Sequence, residues 1–215
     1  MPVNAREERR LQRKAQRQAV QRSTARSVAV RRNAVLGAGA IVLVAAVVLI
    51  FILVRGQSAT PAVPGETHFN DPVTNSGQLY QHIPDSQPIP ADPAGHYPPV
   101  FGNHYAEWRP PGIYDSPVPE GNFIHDLEHG GIVILYNCPS GCPELVNQLK
   151  GLLTSLPKSS QYNEVKLVIS PNTKIQHQLA LLAWDYEKDL DSFDESAIRQ
   201  FYTAHLDRGP EHVAI

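Results

Sequence analysis

The sequence has a single methionine, Met1, so a thioether copper site is excluded. Cysteine is equally scarce: Cys138 and Cys142 are the only two. No internal repeat is present. Basic residues are few over most of the length, since residues 56–215 hold eight Lys or Arg against nineteen acids. The balance reverses upstream, where residues 1–32 hold ten Lys or Arg and only two acids, Glu7 and Glu8. The formal charge of −2 therefore hides a basic arm and an acidic body. No aromatic residue interleaves with the basic ones of the arm, so it lacks the stacking component of single-stranded nucleic-acid binding. A solvated tail that sets membrane orientation is the expectation, with no nucleic-acid partner.

Charge and polar side chains are absent altogether from residues 34–54. A helix of that length is about 31 Å long, enough to cross a hydrocarbon core of roughly 30 Å. Fourteen of its residues are Val, Leu, Ile or Phe, a composition that favours insertion. A cleaved signal peptide would have a shorter apolar region followed by an A-x-A site. Here Arg55-Gly56-Gln57-Ser58 follows instead. A buried soluble helix is rarely apolar on every face. The expected organisation is a cytoplasmic arm (1–33), a transmembrane helix (34–54), a linker (55–65) and an extracytoplasmic globular domain (66–215). The ten basic residues precede the span, so the positive-inside rule places the N-terminus in the cytoplasm and the domain outside the cell membrane, with the lipid bilayer as a partner.

Thirteen prolines fall between Pro61 and Pro119. Proline fixes φ and cannot donate to a ladder, so long helices and central strands are not expected there. The same stretch carries Tyr80, Tyr97, Phe101, Tyr105, Trp108 and Tyr114, more aromatics than a disordered linker holds. It reads as ordered irregular chain wrapped over a core. From residue 130 the texture changes. A β-branched run at 131–136 predicts a buried strand. Leu145, Val146, Leu149, Leu152 and Leu153 form one stripe of a helix over 143–156, with Pro157 past its end. A second strand is expected at 165–169, stopped by Ser170-Pro171. A third, with imperfect alternation, is expected at 178–184. A helix over 194–205 has Asp194 as its cap and Ile198, Phe201 and Tyr202 on one face. This order predicts an α+β (or α/β) domain with one small sheet, two packed helices and a long proline-rich irregular segment before them.

All nine histidines follow the apolar span. Six of them, His68, His82, His96, His104, His125 and His129, lie in loop-like chain, where binding residues concentrate. The densest knot is His125-Asp126-Leu127-Glu128-His129-Gly130-Gly131. On one helical turn His125 and His129 face the same way and can reach one metal ion. His104, or a carboxylate such as Glu107 or Glu128, would complete a three-ligand site. Imidazole ligands suit Zn²⁺ or Cu²⁺. The competing reading is structural: histidines beside a Gly-Gly turn hydrogen-bond backbone groups and fix a loop. The string also matches the H-x-x-E-H pattern of inverted zinc peptidases. Those enzymes place it on a sustained helix, whereas Gly130-Gly131 ends any helix here at once, so a peptidase is not expected.

Cys138-Pro139-Ser140-Gly141-Cys142 sits between a strand and a helix, the position of the cysteine pair in thioredoxin-like proteins. Three intervening residues rather than two resemble copper-delivery proteins of that superfamily. The alternative is a small local disulfide in an oxidising compartment.

Gly102-Asn103-His104-Tyr105, Gly112-Ile113-Tyr114, the run from Ile124 through Leu127-Glu128-His129-Gly130 to Val133, and Tyr136-Asn137 together resemble the bacterial family called domain of unknown function 3105. Ala183-Trp184 resembles a further feature of it. The resemblance covers roughly residues 66–210 and implies a membrane protein whose signature positions here are His104, His125, Glu128 and His129. It does not include the cysteine pair, which favours the local disulfide, and it implies no reaction. Three functions follow as expectations: a membrane-anchored domain binding a transition metal through His104, His125, His129 and Glu128; a non-enzymatic envelope interaction domain with structural histidines; or a thiol-redox or copper-handling protein using Cys138 and Cys142.

Overall fold

The computed structural model describes residues 62–91 and 95–215. The chain divides into two units, Met1–Ala59 and Thr60–Ile215. The expected arm and span lie outside the described residues, as does most of the linker. Among the described residues no helix is long and apolar enough to cross a membrane.

The second unit is an α+β domain. Among the described residues eight strands occur: β1 (Thr67–His68), β2 (His82–Ile83), β3 (His104–Tyr105), β4 (Gly112–Ile113), β5 (Ile132–Tyr136), β6 (Leu167–Pro171), β7 (Leu179–Ala183) and β8 (Tyr186–Leu190). Four helices accompany them: α1 (Pro72–Asn75), α2 (Glu120–Glu128), α3 (Pro143–Ser155) and α4 (Glu195–His205). Six strands form a mixed sheet in the order β1-β8-β7-β5-β6-β4, and β2 pairs with β3 in a separate two-stranded sheet. β5 and β6 run parallel, joined by α3, with Val133 opposite Val168. β7 lies antiparallel to β5 on its other side.

β5 is buried along its whole length because both faces of the sheet are covered. Successive side chains of a strand point to opposite faces. Ile132, Ile134 and Tyr136 therefore meet Leu145, Leu149 and Leu152 of α3 and Ile198, Phe201 and Tyr202 of α4. Val133 and Leu135 meet Phe123, Ile124 and Leu127 of α2, with Val100, Val118 and Trp184 from the surrounding loops. Each such buried aliphatic or aromatic side chain contributes about 1.5–3 kcal/mol relative to exposure.

Among its described residues the proline-rich stretch up to Pro119 has only two-residue strands and the four-residue α1, as expected of it. The expected strands at 131–136 and 178–184 are β5 and β7, and the expected helices are α3 and α4. Asp194 caps α4 by accepting from the Ala197 N–H. Three features differ from the expectation. β6 continues through Ser170 to Pro171, because Pro171 pairs with Tyr136 at the end of the ladder, where its missing N–H costs little. β8 carries Glu187, Lys188 and Asp189 and has no apolar alternation to mark it, yet it pairs with β7 through a tight turn at Trp184-Asp185. The left-handed φ of 68° at Asp185 is one that Asp tolerates well. α2 is a third full helix on the sheet; its apolar stripe, Phe123, Ile124 and Leu127, covers only about one turn, and Asn122, His125, Asp126 and Glu128 are buried along with it.

Candidate metal centre

Helix α2 begins at Pro119 and ends at His129, its C-cap, so His125 and Glu128 lie on its last turns and His129 on the exit. Gly130 follows with φ of 74°, a left-handed conformation that favours glycine. A Cβ at Gly130 would lie 2.7 Å from Asp207 Cα, so the glycine also admits the C-terminal segment. That segment is clamped onto the helix end: the Asp207 N–H donates to the Gly130 carbonyl and the Glu211 N–H to the Glu128 carbonyl. Lys166, fully buried, donates from Nζ to the His129 and Val213 carbonyls at 2.8 and 2.5 Å and pairs with Asp207 at 3.2 Å. An ammonium at a helix C-terminus is favoured by the exposed carbonyl dipoles.

The opposite wall comes from β2 and β3. Their register places His82 beside His104. β3 packs on α2 at Gly121, where a Cβ would fall 2.5 Å from the Tyr105 ring. Asn122 and Asp126 then tie down the chain after β3, since Asn122 Nδ2 donates to the Glu107 carbonyl and Asp126 Oδ1 accepts from the Arg109 N–H. His104, His125, Glu128 and His129 are between 0 and 4 % exposed. His82 is exposed, with its ring 4.9 Å from that of His104 and 4.7 Å from that of His125, and Trp108 has its ring 5.5 Å from those of both His125 and His129.

The ring nitrogens converge. One acceptable ligand atom from each of His82, His104, His125 and Glu128 lies within 4.8 Å of all the others, and the same holds for Glu128, His129 and Glu211. His104 Nδ1 donates to the Gly102 carbonyl and His125 Nδ1 to the Tyr105 carbonyl, both at 2.8 Å. A carbonyl only accepts, so each Nδ1 carries the hydrogen and each Nε2 of a neutral ring is a bare lone pair. His104 Nε2 lies 2.9 Å from Glu128 Oε2, off line for a hydrogen bond, and has no other partner. His125 Nε2 lies 2.9 Å from His129 Nε2. If His129 Nε2 donates there, its buried Nδ1 is left without a hydrogen bond. If His129 Nδ1 holds the proton, two lone pairs face each other. In the second tautomer a cation between the two Nε2 atoms would compensate both lone pairs. Backbone carbonyls holding Nδ1 while Nε2 points inward is how proteins orient metal-ligating imidazoles.

Protonation follows the same geometry. Burial, then the neighbouring His129 and His104, push His125 down to about 4. Burial also pushes His129 down to about 4, against the pull of Glu128. For His104 burial acts downward too, but the Glu128 carboxylate and the Gly102 carbonyl outweigh it, and its pKa is raised. Burial raises Asp126 well above the carboxylate range, opposed by the Arg109 N–H and its charge.

The sequence placed His104, His125, Glu128 and His129 together, and the structure gathers all four in one buried region. His129 touches His125, but it groups with Glu128 and Glu211 rather than with His104. Glu107 is exposed and belongs to neither group; its carbonyl, not its carboxylate, contacts α2. Sequence reasoning missed His82 and Glu211 as possible ligands. Only their residue types signal them, because β2 is two residues long and Glu211 arrives through backbone contacts of the C-terminal segment. Donor sets of this kind, imidazole with one carboxylate and no thiolate, can hold a divalent transition metal.

Cys138 and Cys142 are joined by a disulfide with Cα atoms 6.0 Å apart. They flank the turn between β5 and α3, packed on the helix-covered face. The histidines stand at the other end of β5, so the five residues of the strand, at about 3.3 Å each, separate the two features.

Fold and site thus define an α+β domain built around a buried imidazole–carboxylate cluster. Residues 93–215 match the family described as protein of unknown function (DUF3105), and the chain belongs to that family. The match starts later and runs further than residues 66–210, so it includes Glu211 and leaves His82 out. No curated protein and no solved structure matches the chain.

Proposed function

We propose that this protein is a single-pass membrane protein whose domain, outside the cell membrane, binds a divalent transition metal, zinc or copper. His104, His125 and Glu128 supply the ligands, with His82 or an exchangeable group completing the set from the exposed side. The observation that carries the reading is the convergence of one ligand atom each from His82, His104, His125 and Glu128 within 4.8 Å, with the His104 and His125 rings each held at Nδ1 by a backbone carbonyl. Zinc bound to nitrogen at about 2.0–2.1 Å in a tetrahedron needs ligand atoms roughly 3.3 Å apart. The spacings of 2.9 Å to within 4.8 Å bracket that value. A bound ion would act as a Lewis acid or a structural tie, and the residues' own part is to orient, desolvate and exclude bulk water.

The apolar span at 34–54 and the basic residues before it support the anchoring and its direction. The separation of the disulfide from the histidines speaks against copper handling through Cys138 and Cys142. A purely structural role for the histidines is served by the Nδ1 bonds but gives no reason for the Nε2 atoms to converge.

The test is the thermal shift of the full chain in detergent on adding zinc or copper. The wild type and His177→Ala should gain several degrees, and His125→Ala should gain none. Equal shifts in all three would contradict the reading. For the anchor, protease added to intact cells should digest residues 66–215 and spare the arm, whereas protection of the whole chain would reverse the orientation.

A further inference from the structure

Glu128 belongs to both groups of converging side chains. In the first it joins His104, His125 and His82, and in the second His129 and Glu211. The second group has its own logic. Two carboxylates, Glu128 and Glu211, lie within 4.8 Å of each other and of His129. Like charges that close, one of them buried, repel unless a proton or a cation stands between them. Lys166 is the nearby ammonium, but its Nζ is spent on the His129 and Val213 carbonyls and on Asp207. His129 Nε2 is 3.5 Å from Glu211 Oε2, beyond a good hydrogen bond, and turns its close contact to His125 instead.

The chain also goes to some length to bring Glu211 here. Gly209 packs so tightly on α2 that a Cβ would stand 2.1 Å from the Glu128 carbonyl oxygen, and the Glu211 N–H donates to that same carbonyl. The C-terminal segment is thereby docked with a carboxylate over the helix end. Glu211 is about a third exposed, so this subsite opens towards solvent.

We infer that the domain holds two divalent transition-metal ions bridged by the Glu128 carboxylate, the second bound by His129 and Glu211. This rests on the metal reading above and adds a second site to it. A syn,syn-bridging carboxylate uses both oxygens, which suits ions about 3.5–4 Å apart as in two-metal centres. Water completes the second ion's shell on the open side, where an oxygen-donor ligand such as a phosphate or carboxylate ester would have access.

The test is stoichiometry in the full chain in detergent, stripped with chelator, reloaded with excess zinc and passed through a desalting column. Wild type should retain two zinc ions per chain and Glu211→Gln one. One ion in both overturns the second site and leaves the first standing. No ion in either overturns both readings. A second measurement needs no variant: the chain loaded with Cu²⁺ should give an electron paramagnetic resonance intensity well below its total bound copper, because bridged ions couple. Intensity equal to the bound copper would mean isolated ions and would overturn the bridge.

Discussion

His104 Nε2 and Glu128 Oε2 meet at 2.9 Å in the interior, with side chains 0 and 2 % exposed. The contact joins an imidazole from a two-residue strand to a carboxylate from the last turn of α2. Without a metal, only a proton on His104 makes it attractive: burial pushes the His104 pKa down, but the Glu128 carboxylate and the Gly102 carbonyl raise it above the ordinary histidine value. A metal at Nε2 competes with that proton.

Metal uptake therefore releases protons near neutral pH. Zinc titrated into the full chain at pH 6.5 should give heats that differ between buffers of different ionisation enthalpy, and the difference should shrink as the pH is raised. Identical heats in the two buffers would show that His104 is already neutral or is not displaced.

Gly121 tests how the site is positioned. A methyl there would enter the Tyr105 ring, whose backbone carbonyl holds His125 Nδ1. Gly121→Ala should cost about 1–3 kcal/mol by overpacking. It should also weaken zinc binding about 10–100-fold, as loss of a group that orients a ligand does. Gly151→Ala is the control, because it lies on the exposed side of α3 with nothing within 4 Å. It should stabilise by about 0.5–1 kcal/mol and leave binding alone. Equal effects of the two in urea melts would contradict the packing argument.

These relationships mark how far the sequence could be read. The i, i+4 spacing of His125 and His129 was visible, and so was the buried alternation of β5. The strand–helix–strand–strand–helix order gave the α+β class. α2 was hidden because its apolar stripe, Phe123, Ile124 and Leu127, covers only about one turn between a proline-rich stretch and the Gly130-Gly131 break. β8 was hidden for the opposite reason: Glu187, Lys188 and Asp189 read as loop, and tertiary pairing overrode them. Lys166 and Glu211 were out of reach because what places them is the docking of the C-terminal segment, a contact between distant parts of the chain. His82 was countable as a histidine, but only the β2–β3 register puts it opposite His104.

Stability of the metal-free protein should fall in acid. The folded values of His125 and His129 are depressed to about 4, against about 6.5 for an unfolded histidine. Between those values the unfolded chain binds more protons, so stability declines as pH falls from about 6.5 towards 4. Each histidine contributes at most about 1.4 kcal/mol per pH unit across that window. Urea midpoints measured in chelator from pH 7 to 4 should show the decline, and it should shrink in His125→Gln if that variant folds. A flat profile would mean that the two rings are protonated in the folded state at little cost.

The disulfide should matter for stability and not for metal. It closes a loop of only a few residues, so its removal in Cys138→Ser/Cys142→Ser should cost about 1–2 kcal/mol. Bound zinc should be unchanged, since β5 lies between the two features. Loss of metal in the double variant would connect the cysteines to the site and revive the copper-handling reading.

The central claim is that this buried cluster exists to hold a metal, and metal content is its most direct measure. The full chain, expressed without a histidine tag, extracted in detergent and purified without chelators, should carry stoichiometric zinc or copper by inductively coupled plasma mass spectrometry. His104→Ala and His125→Ala should carry little. A wild-type protein that holds no transition metal, and takes none up when zinc or copper is added, would contradict the account and leave the histidines as structural residues.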